Sequence, residues 1–451
     1  MTEEEEEGVQ MEPFETPSES LIGDWTGPGY DRSLDHNHLP IDVDGQSGRD
    51  DRDQTGNEAD LEPGRQLEPA EEGKEASQLH QKHFILLADE PQTSGFRLLR
   101  HFSILGLLSF SSIWGVLARE GLIALNTYDG MSVSATIWPQ AVGCLIIGYV
   151  VANRVLLERW YPPIYIALGT GFCGSLTTFS TFILQVFQAY SNQIHFKRHG
   201  LQNVMDALSQ TALTFGMSLT ALALGGALKE VFPLQYLLHH FERLTVHKSI
   251  LRHQDRRLTA EEMGKVIDVD TRLPYTTTAD AFNASIGFFF WIATAVLCGM
   301  YPPFRHVTYA VVMGPPGTFL RWYLSRLNSS KWSRTFPHWP VGTLTANLLA
   351  TLILCFAFIG QNFGRNDHLN ARGWHPSSEA CNALHGVQEG FCGCLSTIST
   401  FAVELSNIRP RKYALGYAAG SYILGIVVCV IVIGIPWWTI GMEGSCSARY
   451  T

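Results

Sequence analysis

One phrase occurs twice in the chain. Residues 171–182 read GFCGSLTTFSTF and residues 390–401 read GFCGCLSTISTF, each set inside an apolar run. Runs of about 20 apolar residues have the length that spans a bilayer as a helix. Hydrocarbon offers no water to unpaired backbone groups, so glycines and hydroxyls in such a run predict backbone that is buried in protein or faces a cavity or a bound ion. Both copies read as broken membrane helices and as the functional centre.

The apolar runs follow a four, one, four pattern. Four cover about residues 102–123, 137–157, 164–188 and 207–232, and one covers about 283–301 and stops at Pro302 and Pro303. Four more cover about 307–327, 340–360, 383–405 and 413–438. A single helix between two equal halves makes the second half enter the membrane from the opposite side. The expected fold is therefore an all-α polytopic membrane protein with nine spans: two inverted four-helix repeats, joined by a single linking transmembrane helix, with broken third helices. The expected units are an acidic, disordered cytosolic tail (1–98), a first repeat (99–232), a polar cytosolic linker (233–281), the linking helix (282–303), the second repeat (304–440) and a short extracellular tail (441–451).

The duplication extends beyond the phrase. WGVLAREGLIALN at 114–126 aligns without a gap to PGTFLRWYLSRLN at 316–328, which sets Arg119 opposite Arg321 and Asn126 opposite Asn328. Thr136 and Gln140 fall opposite Thr343 and Asn347. Matches in the same order indicate an internal repeat.

The formal net charge of −10 belongs to the tail, because residues 1–98 hold 25 acidic and 7 basic side chains. The membrane body is basic. Its Lys and Arg gather on one set of short flanks, including Arg97, Arg100, Arg154, Arg326, Arg409, Arg411 and Lys412, while the other set holds Lys197, Arg198, Arg305, Arg365 and Arg372. The positive-inside tendency then places the N-terminus in the cytoplasm and the C-terminus outside. On that topology the sequons at Asn283 and Asn328 face the cytosol and stay unglycosylated. No cleavable signal is visible, so the first span is expected to direct insertion. The nine cysteines lack zinc or CxxC spacing and read as buried thiols; Cys381 and Cys446 both fall outside, where a bond between them is open. His36 and His38 in the tail read as an incidental pair. Lipid is the expected surrounding, and nucleic acid is not an expected partner.

Gly169, Gly171 and Gly174 spell GxGxxG, but no βαβ unit surrounds them, so close helix packing is the better account. Thr177, Thr178, Ser180 and Thr181, with Ser396, Thr397, Ser399 and Thr400, place four hydroxyls per copy in mid-span. Phe179 and Phe182 share a helix face, as do Ile398 and Phe401, and aromatic edges carry the partial positive charge that suits an anion. Asn347 offers amide donors. Arg119 and Arg321, near span ends, are expected to snorkel to the interface. Gln185 and Glu404 reach a vestibule or cap the surface.

The repeated phrase, the GxxxR element before it, the TxxxN element of the second half and the four-one-four layout resemble the CrcB/Fluc fluoride channel family. The fused form is similar to its eukaryotic, fungal-type fluoride export proteins. The resemblance covers about residues 102–438. It implies a fluoride-selective channel that exports fluoride passively across the plasma membrane and confers resistance to it, with no catalytic residues. It also implies a structural sodium ion held by the main-chain carbonyls of Gly174, Thr177, Gly393 and Ser396, and two halves in one chain that replace a homodimer. The implied pore residues are Phe179, Phe401, Asn347, Thr343, Tyr417 and Ser421, with the hydroxyls of Ser180, Thr181, Ser399 and Thr400. A second pore, drawn from Phe182, Ile398, Gln140, Thr214 and Ser218, departs from the family pattern and is expected to be degraded. Two other classes stay open: a proton-coupled transporter of a small anion, and a non-transporting membrane scaffold. The apparent lack of acidic residues deep in the spans favours the channel over the transporter.

Overall fold

Within hydrocarbon a single segment can satisfy its own backbone only as a helix, and every described regular element is helical. The computed structural model describes residues 94–129, 132–193, 195–236, 260–329, 338–362, 377–440 and 446. Nearly all of the expected tail, with His36 and His38, the middle of the linker and most of the C-terminal tail lie outside them. In chain order the helices are α1 Ser94–Leu125, α2 Ile137–Ala152, α3 Arg154–Trp160, α4 Pro162–Ile166, α5 Gly174–Leu176, α6 Phe179–Ser191, α7 Gly200–Val231 and α8 Ala260–Met300. They continue as α9 Arg305–Ser325, α10 Val341–Asn362, α11 Ser378–His385, α12 Gly393–Leu395, α13 Ser399–Asn407, α14 Arg411–Cys429 and α15 Ile435–Ile440. π-Helical turns at Ala167–Cys173, Gly386–Cys392 and Val430–Gly434 join α4 to α5, α11 to α12 and α14 to α15.

Among the described residues, six helices are long and apolar enough to cross a membrane: Leu98–Leu125, Pro162–Ser191, Gly200–Val231, Thr278–Met300, Val341–Asn362 and Arg411–Thr439. Ile137–Ala152 is apolar but shorter. The other two expected spans are helical too, but α9 and the α11 to α13 series contain charged residues whose partners lie within the protein. Two boundaries differ from expectation. The second helix stops at Ala152, where Asn153 turns its side-chain amide onto the Tyr149 carbonyl at 3.0 Å. The linking helix begins at Ala260, so the later part of the polar linker continues into it as one helix.

One core takes residues from both halves. Phe179, Phe182, Ile183 and Val186 of α6 pack with Ala346, Ala350 and Leu354 of α10, with Leu395, Ile398 and Phe401, and with Tyr417 of α14. Opposite faces of α7 and α8 expose Leu208, Leu213, Leu224, Phe289, Ile292 and Met300, the pattern of helices whose outer side meets lipid.

The linking helix is fastened to α1 at two points. Gly106 and Gly287 let the helices touch backbone to backbone, since a Cβ on Gly106 would fall 2.7 Å from the Ala284 Cα. At the polar end, fully buried Asp280 pairs with Arg100 at 2.9 Å and accepts from the Tyr161 hydroxyl. Ser103 and Asn283 bond to that same hydroxyl at 2.9 and 3.0 Å. A buried carboxylate without such partners would cost several kcal/mol, so this network fixes where α8 enters. Both sequon amides are engaged, since Asn328 accepts the Gly342 amide at 2.6 Å. Cys381 and Cys446 form a disulfide, and the other seven cysteines are buried thiols.

Candidate functional site

Helix α5 ends at Leu176 and α6 starts at Phe179. Between them Thr177 (φ −98°, ψ 147°) and Thr178 (φ −139°, ψ 126°) are extended, and Ser396 (φ −88°, ψ 161°) is extended after α12. Extended residues in mid-span leave amides and carbonyls without helical partners. The chain satisfies them in three ways.

The first is an exchange of caps between halves. The Ser396 hydroxyl accepts from the Phe179 and Ser180 amides at 3.2 and 3.1 Å. The Thr177 hydroxyl accepts from the Ile398 and Ser399 amides at 3.2 and 3.0 Å. Each broken helix is thus capped by the other half. Thr178 and Thr397 add caps within their own halves, to Thr181 and Thr400 at 3.4 Å each. Hydroxyls expected to line a path join this net: Ser180 meets Ser396 at 2.9 Å, Ser399 accepts from Thr177 at 3.0 Å, and Thr178 donates to Thr181 at 3.2 Å.

The second is a pair of amide clamps. Gln140 donates to the Thr178 carbonyl at 2.6 Å and accepts its amide at 3.2 Å. Asn347 accepts the Thr397 amide at 2.8 Å and donates to its carbonyl at 3.4 Å. These two equivalent residues, expected to differ in quality as pore donors, share one backbone-holding role.

The third corrects the expected snorkelling of the arginines. Arg119 is fully buried and Arg321 is 5% exposed. Arg119 donates to the Ser175 carbonyl at 2.7 Å and to the Glu389 carbonyl. Arg321 donates through one nitrogen, Nη1, to the carbonyls of Gly174 at 2.6 Å and Ser396 at 3.1 Å, and through Nη2 to that of Thr170. Unpaired carbonyls in mid-span attract the guanidinium forks more strongly than the distant interface does. A Cβ at Gly174 would run into Arg321 and one at Gly393 into Arg119, which is why both positions are glycine.

Beside the crossing lies an aromatic track. Phe179 and Phe401, from opposite halves, meet edge to face with centroids 5.7 Å apart, and Phe401 touches Tyr417 at 4.9 Å. Phe182 meets Phe179 edge to face at 6.1 Å, Phe215 at 5.9 Å and Tyr422 at 6.5 Å, Phe215 also meets Phe401 at 6.1 Å, and Ile398 is buried in the same core. Further along, Glu404 accepts from the hydroxyls of Thr343 and Tyr417. In the first half, the equivalent Gln185 accepts from Ser134 at 2.8 Å and Thr136 at 2.7 Å. One turn beyond Tyr417, the buried Ser421 hydroxyl has no partner among the described residues. The equivalent Ser218 hydroxyl is likewise buried without a partner among the described residues, with the Cys144 thiol beside it. Thr214 is buried on the same face of α7.

The expected absence of deep acidic residues does not hold. Glu404 is half-buried on α13, and Glu389 in the second π-turn lies 3.6 Å from Arg119. Sequence reasoning also passed over Phe215 and the arginine clamps. The repeat alignment of Arg119 with Arg321 was the signal available for the latter, since snorkelling side chains have no need to recur at equivalent positions.

The family described as CrcB-like protein, Camphor Resistance (CrcB), matches residues 107–226 and 308–435. Fluoride export protein 1 of Candida albicans is 29% identical over 381 residues, covering 78% of this chain and 86% of that protein. Fluoride export protein 1 of Schizosaccharomyces pombe is 30% identical over 335 residues, covering 72% and 94%. The fluoride-specific ion channel FluC of Escherichia coli O1:K1 is 38% identical over 125 residues, or 28% of this chain and 80% of that protein. No solved structure matches the chain.

Thr177→Val and Ser396→Ala each delete a cap that crosses between halves. Each is expected to lower the stability of the detergent-solubilised protein by about 1 kcal/mol, read as a lower thermal unfolding midpoint. Unchanged melting in both would contradict the exchange of caps.

Proposed function

Because the chain belongs to the CrcB-like family, we propose that it is a fluoride-selective channel through which fluoride leaves the cytoplasm passively across the plasma membrane, and not an enzyme. The observation that carries this reading is the meeting of two capped helix N-termini, those of α6 and α13, at the Phe179 and Phe401 pair. Helix N-termini carry partial positive charge, and so do ring edges. A small anion that sheds water there meets compensating dipoles without a mobile counter-cation. The unpartnered Ser421 hydroxyl, like that of its equivalent Ser218, supports the same reading, since a buried polar group left unmatched costs about 1–3 kcal/mol and an ion or water would relieve it.

The architecture that goes with this function is nine spans, with two inverted repeats around a linking helix and the halves in place of a homodimer. It is supported by the two separate family segments and by a FluC relative whose match spans 125 residues, 28% of this chain and about the length of one segment. A cytoplasmic N-terminus and an external C-terminus are supported by the basic flanks and by the Cys381–Cys446 disulfide, a bond that persists on oxidising sides of membranes. One path conducts, through Phe179, Phe401, Thr343, Tyr417 and Ser421, with Asn347 holding its break. The second, with Phe182, Ile398, Gln140, Thr214 and Ser218, is degraded: Phe182 lacks a ring from the other half at Ile398 and packs instead on Phe179, Phe215 and Tyr422.

The sodium ion fits the crossing in one respect. Carbonyls of Gly174 and Ser396, from different halves, converge within hydrogen-bond distance of a single atom, Arg321 Nη1. With the carbonyls of Thr177 and Gly393 they would hold a hard monovalent cation, which would supply a fixed positive charge and tie the halves together. Arg321, which already donates to the Gly174 and Ser396 carbonyls, would share them with the ion.

A second reading, a proton-coupled transporter of a small anion, is favoured by one observation. Glu404 sits beside the track with two hydroxyl donors, a position suited to a proton carrier.

Phe→Ile keeps bulk and removes the polarised edge, at a loss of about 1 kcal/mol, roughly fivefold in rate. Phe179→Ile and Phe401→Ile should therefore lose most fluoride efflux while Phe182→Ile changes little; equal partial losses would indicate two working paths. Replacing sodium by a bulky organic cation should lower the melting midpoint of the purified protein, and equal melting in both salts would remove sodium from the account.

A further inference from the structure

The two buried arginines hold equivalent positions in the repeat and sit in unequal electrostatic surroundings. Arg119 has the Glu389 carboxylate at 3.6 Å, and Glu120, next to it in the chain, interacts electrostatically with both. Arg321 has no carboxylate within ion-pair distance among the described residues. The charged group that acts on it is the like charge of Arg119. The sequence explains the difference: Trp322 stands where the first half has Glu120, and Thr170 stands where the second half has Glu389. Both acidic positions are neutral around Arg321.

Each arginine is tied to a different place at the crossing. Arg321 bonds the Ser396 carbonyl at 3.1 Å, and the hydroxyl of that same Ser396 caps Phe179 and Ser180. Arg321 also packs under Gly174, in the turn before the Thr177–Thr178 break that leads into α6, so a cation without a carboxylate partner is tied to the half that carries Phe179. On the other side Arg119 holds the carbonyls of Ser175 and Glu389, under Gly393 and close to the Ile398 end of the crossing. There the cation is matched by carboxylates. In surroundings of low dielectric such charges act over several ångströms with little screening.

Building on the fluoride-channel reading, we infer that charge compensation selects the conducting side: Glu389, helped by Glu120, cancels the field of Arg119 and bars anions from the Ile398 side, while uncompensated Arg321 keeps the Phe179 side attractive to them. The residues that set specificity between the two paths are then Glu389 and its neutral counterpart Thr170. Loss of the ring at Ile398 and gain of the carboxylate at Glu389 are two changes in one half with one consequence.

The test exchanges these residues within the full-length purified chain in proteoliposomes, with fluoride efflux as readout. Thr170→Glu gives Arg321 a counter-ion and Thr170→Gln gives it similar bulk without charge. The Glu variant is expected to pass fluoride about tenfold more slowly than the Gln variant and to need more fluoride for half-maximal rate. Equal behaviour of two folded variants would overturn the inference. A gain-of-function arm covers the case in which Thr170→Glu does not fold. In a Phe179→Ile chain, whose main path is impaired, Ile398→Phe together with Glu389→Thr should restore efflux, and Ile398→Phe alone should not. Restoration by the ring alone, or none with both changes, would also overturn it. A natural chain that moves no fluoride would instead sink the fluoride-channel reading itself, which separates the two failures.

Discussion

Two interruptions of helical backbone in the middle of apolar spans are the constraint on which the structure depends. Each leaves peptide groups that lipid cannot satisfy, and each is answered mostly from outside its own helix. Thr177 and Ser396 cap one another's helices, Gln140 and Asn347 clamp the breaks from neighbouring helices, and Arg119 and Arg321 take the remaining carbonyls. The halves are therefore joined by backbone needs that neither meets alone. That gives a physical reason for duplication to persist here. A repeat whose polar groups are complete only in the presence of its copy is held to that copy.

The same arrangement turns a structural demand into a candidate mechanism. Capped N-termini, ring edges and a buried guanidinium all present positive potential without a mobile ion, and they lie within a few residues of each other around Phe179. Once the copies were fused in one chain they were free to differ. Ile398, Glu389, Gln185 and Cys144 mark where they have done so, against Phe179, Thr170, Glu404 and Thr351 at the equivalent positions.

Much of this was legible in the sequence because the signals were local. The repeated phrase located both breaks, the apolar runs located the helices, though the linking helix starts at Ala260, well ahead of its apolar run, and the pairing of Arg119 with Arg321 marked the duplication. What escaped depends on tertiary distance. A mid-span amide at Asn347 needs a partner, and only the fold shows that the Thr397 backbone is one. The arginines were read by the average habit of long cations near span ends, which fails where unpaired carbonyls lie closer than water. The helix break at Asn153 arises from a side chain folding onto its own turn, a competition that apolar periodicity does not register. Glu389 was missed for a similar reason: its charge is tolerable only because Arg119 arrives from a residue far away in the chain. The linking of Cys381 to Cys446 was left open by the sequence and is formed in the structure.

The most direct test of the central claim, passive conduction of fluoride, is efflux from proteoliposomes that hold the purified chain, with pH equal on both sides and proton movement blocked. A channel predicts rapid release down the fluoride gradient alone, clamped only by the charge it moves and freed when potassium is allowed to balance it. Release that appears only when a proton gradient is imposed would contradict the channel and assign Glu404 the role of proton carrier.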